Sequence, residues 1–292
     1  MAVCLVVLLL LTPAAWAYQQ PTVNLGFTSF MDGGPPAGPG FYFAEYVQYY
    51  TASEFADLPV PNAELNVWAS LNQFIYQSDT PILFGGKWGI DVIVPVVSFD
   101  SQPSPPFSDN SGLGDILVGP YLQWDPIMGK KGPIFMHRVE FQTIFPTGEY
   151  DNVPGTLNAG SNFFSLDPYW AGTLFITPKW TASVRVHYLW NAENGDNNIQ
   201  AGQAIHANFA SSYEAIAKKL RIGVNGYFFQ QVSDTKEDNV AIPDDESVFA
   251  IGPGLLWSFS QNTHLFFNAY FESGAAYRPE GEKFILRLVH HF

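Results

Sequence analysis

The side chains that commonly support hydrolysis or hold metals occur in this chain, but they follow no recognised catalytic pattern. Six histidines are present, and none lies in a His-Glu-x-x-His pattern or a cysteine–histidine cluster, so no zinc site is predicted. No Gly-x-Ser-x-Gly motif occurs either. Ser183, His187 and Glu214 are one of many Ser-His-acid sets that can be drawn, because triads are recognised by geometry. We therefore expect no enzyme activity, no metal and no cofactor.

Charged residues of both signs recur at alternate positions of strand-like segments. In 135–142, for example, Met136, Arg138 and Glu140 alternate with apolar Phe135 and Val139. A polar face of this kind lines the lumen of a transmembrane barrel, either as a solute path or as salt bridges that stiffen a filled barrel. Interleaved aromatic residues favour small amphipathic or aromatic solutes. The lumen-lining candidates are Lys87, Asp91, Asp115, Arg138, Glu140, Asp167, Arg185, His206, Glu214, Arg221, Glu272 and Arg287.

The segments that carry these residues have the length of membrane-crossing strands. The sequence predicts about twelve of them, at 40–51, 64–76, 83–98, 112–124, 134–147, 162–176, 180–190, 202–215, 220–231, 247–258, 263–274 and 283–292. Each is close to the 9–11 residues that a tilted strand needs to cross a bilayer. We therefore predict an all-β fold, a transmembrane antiparallel β-barrel of the outer membrane.

The connections between these segments alternate in length and charge. Those after even-numbered segments are short, whereas most of those after odd-numbered segments are long and polar, as in barrels with short periplasmic turns. The connection 232–246 is strongly acidic, and it is interpreted either as a solvated loop or as a site for cations between lipopolysaccharide head groups. A formal net charge of −14 argues against nucleic acid as a partner.

The last ten residues predict how the barrel closes. Phe284, Leu286, Leu288 and Phe292 fall on one face of a terminal strand, with His290 replacing the usual hydrophobic residue. This pattern is similar to the assembly signal that the barrel-assembly machinery reads in outer-membrane proteins. The final strand must pair with the first, because an open edge in lipid leaves backbone groups unpaired.

Composition and the amino terminus favour an exported membrane protein. Aromatic residues make up 16% of the chain and charged residues only 14%, well below the ~25% charge of soluble domains. Residues 1–17 have the apolar run and Ala-x-Ala site of a signal peptide, and they contain Cys4, the single cysteine. We predict a Gly/Pro-rich tail or plug at 18–40 and the barrel at 41–292.

Several short sequence motifs together resemble those of a known family. They are Gly33 to Phe43, Gly112-Leu-Gly-Asp115, Pro120 to Trp124, Phe145 to Asp151, Asn158 to Asn162, Pro168-Tyr169, and Trp180 with Tyr188. The chain resembles the SphA-like outer-membrane family labelled as MetA-pathway of phenol degradation proteins. The resemblance implies an outer-membrane barrel for uptake of small aromatic or other hydrophobic compounds. We expect the uptake to be passive, because the chain has no nucleotide-binding motif. We also expect contact with the lipid and lipopolysaccharide of a Gram-negative outer membrane. The alternative is a structural or adhesive barrel without transport activity.

Overall fold

The computed structural model describes residues 20–34, 37–56, 62–104 and 107–292; the predicted signal peptide lies outside these ranges. The first ten strands are β1 (Gly40–Phe55), β2 (Glu64–Leu83), β3 (Gly86–Gln102), β4 (Ser108–Asn110), β5 (Gly112–Leu113), β6 (Ile116–Gln123), β7 (Ile127–Gly129), β8 (Gly132–Glu140), β9 (Thr143–Phe145) and β10 (Thr156–Asn158). They are followed by β11 (Ser165–Leu166), β12 (Tyr169–Phe175), β13 (Trp180–Asn191), β14 (Ile199–Gln200), β15 (Ala204–Ile216), β16 (Leu220–Gln231), β17 (Thr235–Glu237), β18 (Val240–Ile242), β19 (Ser247–Ser258), β20 (Thr263–Ala276) and β21 (Pro279–His291). Across the described ranges, no helix has the length and apolarity needed to cross a membrane.

Twelve antiparallel barrel strands close on themselves, as the sequence predicted. Nine are single elements, and three consist of two short consecutive elements: β5 with β6, β8 with β9, and β11 with β12. The last barrel strand, β21, pairs with β1 from Tyr42↔His291 to Phe55↔Pro279. This closing pair joins the first and last strands of the barrel wall, so their backbone groups are hydrogen-bonded to each other where lipid could not hydrogen-bond them.

Proline contributes to the division of one barrel strand. The sequence predicts one strand over 162–176, but pairing is interrupted between β11 and β12 at Asp167-Pro168. Proline has no backbone N–H to donate to a sheet ladder, so continuous pairing is lost there. The turn between β2 and β3 also differs from the predicted 77–82. The observed turn is Phe84-Gly85, with φ of 50° and 78°, so both strands extend further than predicted.

Side chains alternate between lipid and lumen along the barrel strands. In β13, the buried residues Thr181, Ser183, Arg185 and His187 point inward, while Trp180 and other large apolar side chains between them lie exposed on the outer surface. The polar groups therefore face the lumen and the apolar groups face outward, the inverse of a soluble barrel. This is the arrangement that the sequence predicted for a membrane barrel.

The two ends of the barrel differ. We call the end with the short connections 84–85, 124–131, 176–179, 217–219 and 259–262 the turn end, and the opposite one the loop end. Phe292 lies at the turn end, where its N–H donates to the carbonyl of Phe41 at 3.0 Å. At the loop end, β4 pairs with β10, and β14, β17 and β18 form a small sheet. In outer-membrane barrels the end with short turns is periplasmic.

Residues 20–34, which we call the N-terminal segment, pass through the barrel interior. Phe30, Leu25 and Val23 are buried there, with 1%, 3% and 6% of their surface exposed. At the loop end Gln20 donates to the carbonyl of Gly202 at 2.9 Å. Nearer the turn end, the carbonyl of Gly33 accepts from Gln123 at 2.9 Å. The segment therefore runs along much of the lumen before β1 begins.

Candidate functional site in the barrel lumen

Two cavities occupy the lumen on either side of the N-terminal segment. The turn-end cavity has a volume of about 740 Å³, and the loop-end cavity about 390 Å³. Thr22, Val23 and Phe27 contribute to the walls of both. These three residues therefore separate two spaces that would otherwise form one path along the barrel axis.

Hydrogen bonds from the barrel wall hold the middle of the segment. The Gly26 N–H donates to Asn208 Oδ1 at 2.6 Å, and the Tyr270 hydroxyl donates to the Gly26 carbonyl at 2.7 Å. Asn208 Nδ2 also donates to the Asn24 carbonyl at 2.9 Å. Because these wall residues are fully buried, the bonds replace water that the side chains would otherwise need.

A buried ion pair fixes the segment closer to the turn end. Arg185 on β13 donates two hydrogen bonds to Asp32, with Nε–Oδ2 and Nη2–Oδ1 distances of 2.8 and 2.7 Å. The Arg185 guanidinium also stacks on the Tyr169 ring at 3.9 Å. Burial opposes ionisation of Asp32, but the charge and hydrogen bonds of Arg185 lower the pKa of this carboxyl group below 3.8. Asp32 therefore remains an anion at physiological pH.

Gly26 allows the segment to approach the wall closely. Its φ of +90° is favourable for glycine, and a Cβ there would lie 2.7 Å from Tyr270 Cε2. Any larger residue at this position has to displace the tyrosine ring or the segment. The close contact explains how a chain without regular structure packs against this wall.

Arginine and aromatic side chains alternate around the turn-end cavity. The guanidinium of Arg138 lies 4.0 Å from the Tyr121 ring, and that of Arg287 lies 3.7 Å from the Phe266 ring. Asp91, on the same wall, accepts a hydrogen bond from Gln73 at 2.7 Å. The cavity thus offers apolar ring faces beside fixed charges, a combination suited to amphipathic molecules.

Six of the twelve lumen-lining candidates border the turn-end cavity and six border neither cavity. Those at the cavity are Asp91, Arg138, Arg185, Glu214, Arg221 and Arg287. The other six lie elsewhere in the wall or at its rims. They are Lys87, Asp115, Glu140, Asp167, His206 and Glu272. Strand periodicity identifies the face of a side chain, but it does not show which inward groups are covered by their neighbours.

Three of these six residues bind nearby loops, turns or strands. Asp115 accepts hydrogen bonds from the backbone N–H groups of residues 147, 148 and 161 and from the Ser161 hydroxyl, which organises a loop. Lys87 lies at the turn end, 2.8 Å from Asp125 Oδ1. Glu272 accepts hydrogen bonds from the Tyr50 and Tyr227 hydroxyls at 2.8 and 2.6 Å. Each position has a structural partner rather than an open face.

Glu140 belongs to a buried network behind the turn-end cavity. Its carboxyl group accepts a short hydrogen bond from the Tyr169 hydroxyl and lies 4.0 Å from Arg138 Nη1. Glu140 is 1% exposed, so this carboxyl group is enclosed by protein. A buried carboxylate needs such partners to remain in the wall.

Asp167 and His206 belong to a buried cluster that includes His187. Asp167 Oδ2 lies 2.9 Å from His187 Nδ1, and Oδ1 lies 3.0 Å from His206 Nε2. In the described chain this is one group of three possible metal ligands, with the ligand atoms within 4.8 Å of one another. The imidazole rings stack at 4.2 Å with an interplanar angle of 17°. Because nearly parallel rings do not aim their nitrogen lone pairs at one point, the geometry favours a carboxylate that bridges two rings.

The Ser-His-acid set drawn from the sequence is not assembled. The Ser183 hydroxyl lies 2.8 Å from the Thr173 hydroxyl, while His187 contacts Asp167. Glu214 accepts a hydrogen bond from the Lys218 backbone N–H at 2.7 Å, in a turn. The three groups therefore make separate structural contacts.

Comparison with known proteins supports the barrel interpretation. The model of the family described as putative MetA-pathway of phenol degradation matches residues 44–288. The chain belongs to this family. The match covers most of the barrel and confirms the resemblance that the sequence motifs indicated. None of the curated proteins matches the chain.

Solved structures share the fold at low sequence identity. An outer membrane channel from Pseudomonas putida F1 has a TM-score of 0.79 and 16% identity, covering 93% of this chain and 100% of that one. The transport unit of the autotransporter AIDA-I from Escherichia coli has a TM-score of 0.50 and 8% identity, covering 91% and 93%. The likeness to the channel confirms an outer-membrane β-barrel fold for this chain.

Proposed function

We propose that this protein is a passive outer-membrane channel for small hydrophobic or aromatic compounds. The observation that carries this proposal is the pair of cavities, about 740 and 390 Å³, inside a closed membrane barrel. Both volumes lie in the range that holds small organic molecules. Tyr42, Tyr46, Phe266 and Leu256 supply apolar surface in the turn-end cavity, which fits ring-containing solutes.

Passage along the axis requires the N-terminal segment to move. Thr22, Val23 and Phe27 lie between the cavities, so a solute meets the segment before it reaches the turn end. We infer that the segment acts as the gate, and that Asp32 with Arg185 is its main anchor. The solute moves down its own concentration gradient, and the channel is not an enzyme.

A growth comparison tests the biological part of the proposal. A strain that lacks the gene is expected to grow more slowly than wild type on low concentrations of phenol, with unchanged growth on glucose. Complementation with the intact gene should restore growth. Equal growth on phenol with and without the gene contradicts the proposed solute class.

Planar bilayers test the channel itself. Purified protein is expected to produce discrete conductance steps, and Arg138→Ala with Glu140→Ala should change their size because Arg138 borders the turn-end cavity. If the protein inserts but carries no current and admits no aromatic solute, the structural-barrel alternative replaces the channel proposal. Insertion is checked separately by heat-modifiable migration in detergent gels.

A further inference from the structure

The charge inside the lumen differs from that of the whole chain. The chain has a net charge of −14, yet six Lys and Arg side chains and three Asp and Glu side chains line the turn-end cavity. The loop-end cavity has two of each sign. A low-dielectric cleft lined mainly by one sign concentrates ions of the opposite sign. The lumen therefore becomes more favourable to anions towards the turn end.

Arg287 is the arginine of this cavity that makes the fewest hydrogen bonds and ion pairs to the described residues. It is 8% exposed, its Nε atom has no hydrogen-bond partner among the described residues, and it belongs to no ion pair there. Its hydrogen bond from Nη1 to the Phe27 carbonyl is long, at 3.4 Å. A guanidinium has five N–H donors, so most of its capacity is unused.

The surroundings of Arg287 are aromatic. Its guanidinium lies 3.7 Å from the Phe266 ring and 5.6 Å from the Tyr46 ring. Phe27 and Leu256 complete the apolar wall of the same cavity. A guanidinium with unused N–H donors beside aromatic ring faces matches a planar carboxylate attached to an aromatic ring.

Lys283 has a similar aromatic surrounding in the loop-end cavity. It lies four residues before Arg287 on β21, which places the two about 13 Å apart on the inner face. Its Nζ donates to the Leu25 carbonyl at 3.1 Å and lies 4.6 Å from the Tyr227 ring. Both cations therefore donate hydrogen bonds to backbone carbonyls of the N-terminal segment. A carbonyl oxygen carries only a partial negative charge, so neither cation is paired with a full anion there.

We propose that the lumen selects small aromatic carboxylates, bound at Arg287 in the turn-end cavity after passing Lys283 in the loop-end cavity. This inference rests on the proposed function, because it names the solute class of the same channel. The solute carboxylate replaces the Leu25 and Phe27 carbonyls as the partner of each cation. Movement of the segment away from β21 and anion binding therefore favour each other.

Calorimetric titration of the purified full chain in detergent tests the proposal with two probes of similar shape, benzoate and benzyl alcohol. Benzoate is expected to bind at least about 10-fold more tightly, because its carboxylate forms charge-assisted hydrogen bonds with the guanidinium and the neutral alcohol does not. Arg287→Gln should remove that preference, because it should weaken the binding of benzoate much more than the binding of benzyl alcohol. Arg221→Gln is the matched control, because Arg221 borders the same cavity but already donates to Ser212 Oγ at 3.0 Å.

Equal affinity of the wild-type protein for the two probes overturns the proposal, whether or not Arg287→Gln folds. Equal loss of benzoate binding in both arginine variants also overturns the proposal. Benzoate would then be attracted by the total positive charge of the cavity and not by Arg287 in particular. Proteoliposome uptake separates this failure from failure of the channel proposal. If neutral aromatics enter without a preference for benzoate, only the carboxylate inference is wrong; if neither probe enters, the channel proposal is wrong as well.

Discussion

Replacement of Asp32 by asparagine tests whether one buried ion pair holds the N-terminal segment in the lumen. Asp32 and Arg185 have side-chain exposures of 10% and 9%, and they share two charged hydrogen bonds. Removing one partner of a buried pair costs about 3–5 kcal/mol, because the other charge stays buried without compensation. The amide oxygen of asparagine retains one hydrogen bond, so the lower end applies. About 3 kcal/mol corresponds to an increase on the order of 100-fold in the released state.

A single buried thiol reports this release. Ser29 is 3% exposed, and Ser29→Cys is nearly isosteric. The chain has one native cysteine, Cys4, which lies in the predicted signal peptide. A polymer-linked maleimide that is too large for the lumen should label the introduced thiol on the order of 100-fold faster when Asp32→Asn is present, because labelling follows the population of the open state.

The exposed pair between Lys87 and Asp125 supplies the control. Asp125 is 76% exposed, so Asp125→Asn should leave the labelling rate within about two-fold. The lowered pKa of Asp32 fixes the sign of the pH dependence: the anchor persists above 3.8 and weakens only as pH falls through the lower folded-state value. Equal labelling with and without Asp32→Asn would refute the anchor.

Three further predictions follow from contacts elsewhere. Deletion of Phe292 should lower the amount of heat-modifiable barrel in membrane fractions, because it removes the closing contact at the turn end. Gly26→Ala should speed thiol labelling of the segment, whereas Gly38→Ala, also at positive φ but with no atom within 4 Å of the added Cβ, should not. Glu246 forms a buried 2.8 Å pair with Arg278, and burial raises its pKa to about 7. Since the folded state then binds the proton more tightly, loop-end protease resistance should fall as pH rises from about 4.5 to 7, and Glu246→Gln should abolish this change.

The membrane architecture could be predicted because it depends on short-range periodicity. Alternation such as Arg138-Val139-Glu140 gives the two faces of the wall, and loop length gives its two ends. The terminal strand also follows the predicted pattern, with Leu286 and Leu288 exposed on the outer surface. Each of these features can be read from neighbouring residues alone.

The interior could not be predicted in the same way. The N-terminal segment has no periodicity, so nothing local indicated that Asp32 meets Arg185, 153 residues away. The cluster of Asp167, His187 and His206 depends on register between separate strands. Asp115 has the expected polarity, but distant loop N–H groups enclose it. Missed contacts of this kind require the positions of several strands at once.

Reversible locking of the segment tests the central claim most directly. The Met31 N–H lies 3.1 Å from the Ser183 hydroxyl, so Met31→Cys with Ser183→Cys is designed to join segment and wall by a disulfide. Benzoate and benzyl alcohol influx into proteoliposomes is then measured before and after reduction, beside each single cysteine variant. We predict that influx through the disulfide-linked protein is close to that of empty liposomes. Reduction of the disulfide should restore the influx. Influx that is the same in both states, or that never exceeds empty liposomes, would contradict a path through the lumen gated by this segment.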